Sequence, residues 1–141
     1  MLEYRVTAKR IDTHSSTATC KNAEIILDTD VNGRADAFNP AELFLAAVAA
    51  CMIKGIERAA PILKFKLRGV EVRLHGLRQD NPPKMVSIDY ELLVDTDESD
   101  HRLALLHTNV RKFGTISNTV AAATRLEGHV VRAVEATRGQ T

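Results

Sequence analysis

From Glu3 to Arg10 the chain alternates, with Tyr4, Val6 and Ala8 on one face and Glu3, Arg5, Thr7 and Lys9 on the other. A period of two predicts a half-buried strand. Asp12-Thr13-His14-Ser15-Ser16 is a polar turn. The chain returns through Thr17-Ala18-Thr19-Cys20, where Ala18 and Cys20 would share the apolar face of a second strand. Lys21-Asn22 turns it again into Ala23–Asp28, whose Ile25-Ile26-Leu27 is too uniform to mark a buried face. Three such segments predict an antiparallel meander. Asp30 to Phe38, containing Asn32-Gly33, reads as a loop.

At Asn39 the pattern changes. Asn39 can cap a helix, Pro40 suits its first position, and Glu42 completes a capping box. An unbroken apolar run, Leu43 to Ile53, follows, and Pro61 is expected to end the helix with Arg58 in its last turn. A helix this apolar all round is expected to be buried all round. Cys51 lies in the middle of it.

Beyond Pro61, Lys64-Phe65-Lys66-Leu67-Arg68 alternates basic and apolar residues and reads as a strand with a solvated face. Val70, Val72 and Leu74 then oppose Glu71, Arg73 and His75. Asp80-Asn81-Pro82-Pro83 must be a turn, and Val86, Ile88, Tyr90, Leu92 and Val94 mark the returning strand of a hairpin. Asp95–Asp100 is an acidic connection in which Ser99 or Asp100 can cap the next helix. That helix carries Leu103, Leu106, His107 and Val110 at helical spacing up to Phe113. Gly114 is placed where a helix often ends in a left-handed residue. Thr115–Ala123 predicts a second short helix and Glu127–Glu135 a closing strand.

Helices among antiparallel strands define an α+β domain, expected to be single over residues 1–141. One chain of this size has too little surface to cover an all-apolar helix, so a homodimer is expected. A net charge of +1 argues against nucleic acid or an anionic membrane as partner. The N-terminal MLEYRVTAKR holds no apolar signal region, and the run at 43–53 falls short of the ~20 residues that span a bilayer. The expectation is a cytoplasmic protein whose two cysteines, Cys20 and Cys51, are reduced thiols.

A thiol reacts as thiolate, which needs positive charge nearby. Cys51 lies too far along its helix for the helix N-terminus to help, but Lys54 and Arg58 follow it on the same face. The alternative reading is that Cys51 is a small buried apolar residue. His14, His75, His101, His107 and His129 show no metal-ligand pairing, no CxxC occurs, and no glycine pattern cradles phosphate. No metal or cofactor is expected.

The stretch Asn39-Pro40-Ala41-Glu42-Leu43 through Ala49-Ala50-Cys51 resembles the NPEELL…AAC signature of the OsmC/Ohr family. Leu106-His107 through Phe113-Gly114-Thr115-Ile116-Ser117-Asn118-Thr119 resembles its second signature, which reads like YCPVSNTL. The resemblance implies an intertwined α+β homodimer with antiparallel sheets, a long buried central helix and sites at the subunit interface. It also implies reduction of organic or inorganic hydroperoxides, with Cys51 in the attacking position, a second-signature cysteine resolving the sulfenic acid, and a dithiol reductant reopening the disulfide.

Three positions depart from the family pattern. Gly114 occupies the resolving-cysteine position, and Ala41 stands where the organic-hydroperoxide branch carries a carboxylate. Glu42 points to the opposite side of the helix from Cys51 and reads as the cap. The branch's activating arginine aligns near His14, with Arg10 and Arg34 as other sources of charge. Two readings follow. One is a one-cysteine peroxidase resolved by an external thiol or by Cys20, itself otherwise a strand core residue. The other is a non-catalytic dimer binding a small apolar or thiol-bearing ligand at the subunit interface.

Overall fold

In the computed structural model, which describes residues 1–133, the N-terminal meander forms as the alternation predicts. Strands β1 (Thr7–Arg10), β2 (Ser15–Cys20) and β3 (Ala23–Asp28) pair antiparallel in that order. The register runs from Thr7 opposite Thr19 to Arg10 opposite Ser16, and from Ser15 opposite Asp28 to Cys20 opposite Ala23. β1 is shorter than predicted, and Tyr4 and Val6 precede it, exposed. Asp12 makes the first turn: its Oδ1 accepts from the amides of His14 (2.8 Å) and Ser15 (3.0 Å). Lys21 turns the second at a φ of 55°. The buried carboxylate of Asp28 then organises the following loop by accepting from the amides of Asp30 and Arg34. These elements and the first turn of the next helix make one compact unit, Met1–Phe44; a second begins at Leu45.

Helix α1 spans Pro40–Leu63. The capping box is formed in both directions, Glu42 N–H to Asn39 Oδ1 at 2.8 Å and Asn39 N–H to Glu42 Oε1 at 3.0 Å. Pro61 does not end the helix as expected; it lies inside the last turn. The helix stops at Lys64, whose φ of 51° is left-handed, with Phe65 N–H reaching Ala60 O and Lys64 N–H reaching Pro61 O. This is the Schellman pattern, and Phe65 and Ala60 join the core together.

In the second unit β4 (Gly69–Asp80) and β5 (Pro83–Asp95) form a long antiparallel hairpin. Lys64–Arg68, predicted as a strand, is instead the left-handed helix end at Lys64 followed by an irregular connection with no partner strand among the described residues. Its alternation is nonetheless physical: Phe65 is buried, Lys66 N–H bonds Glu98, and Arg68 pairs with Asp95 and Asp97. Helix α2 (Asp100–Phe113) starts at Ser99, whose hydroxyl accepts from Arg102 N–H. After Gly114 comes α3 (Thr115–Ala121), then β6 (Arg125–Arg132). The predicted end of that strand, Val134 and Glu135, lies outside the described residues.

β6 runs parallel to β5, where only antiparallel pairing was anticipated. The reason is the connection. α2 and α3 carry the chain back to the end at which β5 began, and a helical crossover joins parallel strands.

The core fills the space between α1, α2, α3 and the inner face of β4–β5–β6. Val48, Met52, Ile56 and Ala59 of α1 meet Ile88, Leu92, Val94, Leu106 and Val110. Burying Val48, Met52 or Ile56 completely is worth roughly 1.5–3 kcal/mol each. Of α1 only this stripe and Ala60 are buried; Ala47 and Ala50 are exposed, and Leu43, Leu45, Ala49 and Ile53 are half-buried. All-round burial was expected, but this chain supplies cover for one face.

Candidate functional site

Cys51 is half-buried on α1, next to the fully buried Met52, and its thiol is free, as is that of Cys20. Lys54, one turn on, is exposed and makes no hydrogen bond or ion pair among the described residues. Arg58 is engaged by α2: its Nη2 donates to Asn109 Oδ1 at 2.8 Å, and its guanidinium carbon lies 5.0 Å from the centre of the Phe113 ring. Lys112 approaches the same exposed ring at 5.3 Å. Between them α1 and α2 close up at Gly55, where a Cβ would stand 3.4 Å from Val110 Cγ1.

Gly114 is buried and, against expectation, is not left-handed; its φ of −78° and ψ of 115° suit any residue. What suits glycine there is space. A Cβ would meet the Val110 carbonyl oxygen at 3.0 Å and Ser117 Oγ at 3.1 Å. Ser117 is itself buried, and its hydroxyl has no hydrogen-bond partner among the described residues.

The other sequence candidates belong to the N-terminal unit. Cys20, half-buried, ends β2 opposite Ala23. His14 Nδ1 lies 2.6 Å from Asp30 Oδ2. The hydrogen bond and charge of Asp30 raise the His14 pKa, and the His14 hydrogen bond holds Asp30 below the usual carboxylate range. Arg34 grips Asp36 through Nε at 2.6 Å and Nη2 at 2.9 Å. Arg10 ends β1.

A second polar cluster escaped the sequence reading. Tyr90 points from β5 into the core, and its hydroxyl lies 2.6 Å from His107 Nε2 and 3.0 Å from Arg111 Nη1. Arg111 Nη1 also donates to the Leu126 carbonyl oxygen at 3.0 Å. Arginine can only donate, so the Tyr90 oxygen accepts from Arg111, while the direction of the Tyr90–His107 bond follows the imidazole tautomer. The His107 pKa is lowered, first by burial and then by the charges of Arg111 and His129. The available signal was slight: His107 and Arg111 lie one turn apart beside an apolar stripe, and only the strand register brings Tyr90 to them.

Among the described residues no three His, Cys, Asp or Glu side chains gather as metal ligands, and no helix is long and apolar enough to cross a membrane.

A mixed helix–sheet protein with a free thiol midway along its longest helix is thus defined. The chain belongs to the OsmC-like protein family, whose model matches residues 33–128. The fold is similar to that of an OsmC-like protein from Mycoplasma pneumoniae, with a TM-score of 0.85 at 20% identity, covering 93% of this chain and 97% of that one. It is also similar to the organic hydroperoxide resistance protein OsmC of Legionella pneumophila (TM-score 0.68, 18% identity, 92% and 97% covered). A third likeness is to OhrB of Bacillus subtilis (TM-score 0.65, 18% identity, 92% and 98% covered). No curated protein matches the chain.

Proposed function

We propose that this protein reduces organic or inorganic hydroperoxides through Cys51. The observation that carries the reading is a free, half-buried thiol inside the family-matched span. The Legionella and Bacillus relatives are organic hydroperoxide resistance proteins, which supports the substrate class. In the reaction the Cys51 thiolate attacks the outer peroxide oxygen and the O–O bond breaks. Sulfur is oxidised to sulfenic acid, and the departing oxygen takes a proton to leave as alcohol or water. An external thiol then condenses with the sulfenic acid, releasing water, and a second thiol reduces the mixed disulfide. Gly114 offers no sulfur, so Cys20 is the one other thiol of this chain that can take the first of these roles.

The working form on this reading is a cytoplasmic homodimer. Large apolar side chains stay exposed in the N-terminal unit, among them Tyr4, Val6, Ile11, Ile25 and Ile26, and a second copy would cover such surface.

A second reading rests on Arg58. Its guanidinium is committed to Asn109 and Phe113, and position 41 carries no carboxylate. On that reading the dimer binds a small apolar or thiol-bearing ligand without turning it over.

The test is intact-mass spectrometry of reduced protein after brief exposure to equimolar organic hydroperoxide or hydrogen peroxide with dimedone, beside Cys51→Ser and Cys20→Ser. Rapid trapping that needs Cys51 is expected. A loss of two hydrogens that needs both cysteines would make Cys20 the resolving partner. No reaction over minutes in folded dimer would leave the binding reading.

A further inference from the structure

Arg111 differs from most arginines of this chain in its company. Arg34, Arg68, Arg73, Arg78, Arg102, Arg125 and Arg132 each lie against a carboxylate. Arg111 is half-buried, yet its hydrogen-bond partners are neutral: the Tyr90 hydroxyl and the Leu126 carbonyl oxygen. Both hydrogens of Nη1 are used there. The opposite edge of the guanidinium, Nη2 and Nε, has no partner among the described residues. Among the described residues no carboxylate pairs with it, and the Tyr90 ring lies 5.7 Å from the guanidinium carbon.

Arg111 borders a groove of about 530 Å³ between α2 and β6, lined also by His107, Thr108, Leu126 and Glu127. His107 turns Nε2 to the Tyr90 hydroxyl, and its Nδ1 has no partner among the described residues. Arg111 and His107, both half-buried, bring a positive fork and an imidazole to one groove, where the free donors stay open to solvent and so to an acceptor carried by a ligand.

We propose that the groove binds a small monocarboxylic acid, its two oxygens on Nη2 and Nε of Arg111. Two parallel N–H donors match the spacing of a carboxylate, and the guanidinium is planar as the ligand is. Glu127 selects the charge. It lines the groove, and its ion-pair partner among the described residues is the exposed Arg125, at 3.5 Å, so it opposes a doubly charged phosphate more than a single carboxylate. The Tyr90 ring and Leu126 give the acid an apolar wall, which favours a carbon skeleton over a bare oxoanion. The site uses no atom of Cys51 and does not depend on the peroxidase reading.

The experiment titrates full-length protein with benzoate, acetate and inorganic phosphate at pH 7, following the His107 ring signals by NMR and heat by calorimetry. Benzoate is expected to saturate, to bind more tightly than acetate or phosphate, and to raise the His107 titration midpoint. Arg111→Gln should weaken benzoate at least ~10-fold, and Arg111→Lys several-fold, because lysine keeps the charge and loses the fork. Arg111→Lys also decides the matter if the glutamine variant fails to fold. Glu127→Gln should tighten binding and narrow the margin over phosphate, while Cys51→Ser should bind as wild type. No saturable benzoate binding, binding indifferent to Arg111→Lys, or phosphate bound more tightly than benzoate would each overturn the proposal.

Discussion

Gly128 faces the Tyr90 ring so closely that a Cβ on it would stand 2.5 Å from both Cγ and Cδ2 of that ring, and it would strike the Tyr90 carbonyl oxygen as well. The two residues are register partners in the parallel β5–β6 pair. Glycine at this position is what leaves Tyr90 room to reach His107 and Arg111.

Gly128→Ala is therefore expected to cost about 3 kcal/mol, the upper end for overpacking, because one colliding group is backbone and cannot rotate away. Urea unfolding measures it. A loss below about 0.5 kcal/mol would mean that β6 shifts freely and that the Tyr90 cluster does not depend on it.

Gly114 is crowded rather than merely short of a thiol. Gly114→Ala and Gly114→Cys should both lower stability by about 1–3 kcal/mol, since the Val110 carbonyl and the Ser117 side chain must give way. Ser117→Ala should be neutral or stabilising, because it removes a buried hydroxyl without a described partner. If Gly114→Cys proves as stable as wild type, the steric account of this position fails.

The Asn39–Glu42 capping box was visible in spacing alone, because a cap depends on residues three apart and on nothing distant. Asn39→Ala should cost about 1 kcal/mol, and Glu42→Ala less, since it frees only the Asn39 amide while the helix amide of residue 42 keeps its bond to Asn39 Oδ1.

The same locality explains what else could be read. The meander, the long hairpin and α2 follow from periodicity and from turn residues such as Lys21-Asn22 and Asn81-Pro82. Lys64–Arg68 misled because alternation reports burial of Phe65 and Leu67, not a partner strand. The direction of β6 was hidden in the connection before it. Tyr90, His107 and Arg111 share no spacing rule, since a strand register and a helix face bring them together. Cys51 was legible as a family position, but the engagement of Arg58 by Asn109 and Phe113 requires knowing how α2 lies on α1.

His14 and His107 should titrate on opposite sides of the ordinary histidine value, ~6.5. Asp30 raises the His14 pKa, so its contribution to stability is present below ~6.5 and is lost as pH rises through the folded value. Asp30 is held low, so its own contribution is present above ~3.9 and is lost as pH falls toward its folded value. His107 is lowered by burial, so its contribution is present above ~6.5 and declines as pH falls through that value. In Asp30→Asn the His14 midpoint should fall, leaving only the weaker pull of Asp12 and the opposing charge of Arg34, while His107 is unmoved. The stability difference between this variant and wild type should be largest between about pH 4 and 6.5. A difference that stays flat from pH 4 to 9 would sink the pairing.

Lys54 and Arg58 follow Cys51 along one face of α1, yet they are not equivalent sources of charge. Arg58 donates to Asn109 and lies over Phe113, so turning toward the thiol would break both contacts. Lys54 gives up no described contact by turning. If Cys51 reacts with hydroperoxide, Lys54→Gln should slow sulfenate formation ~3–10-fold at pH 7, the effect of one mobile cation in partly solvated surroundings. Arg58→Gln should change the rate less than ~2-fold while costing up to about 1 kcal/mol of stability through Asn109 and Phe113. Dimedone-trapping rates at several salt concentrations separate the two, because the Lys54 effect should shrink as salt screens it. A large rate loss in Arg58→Gln with Lys54→Gln unchanged would mean that Arg58 leaves α2 when the thiol reacts, and would reverse this assignment.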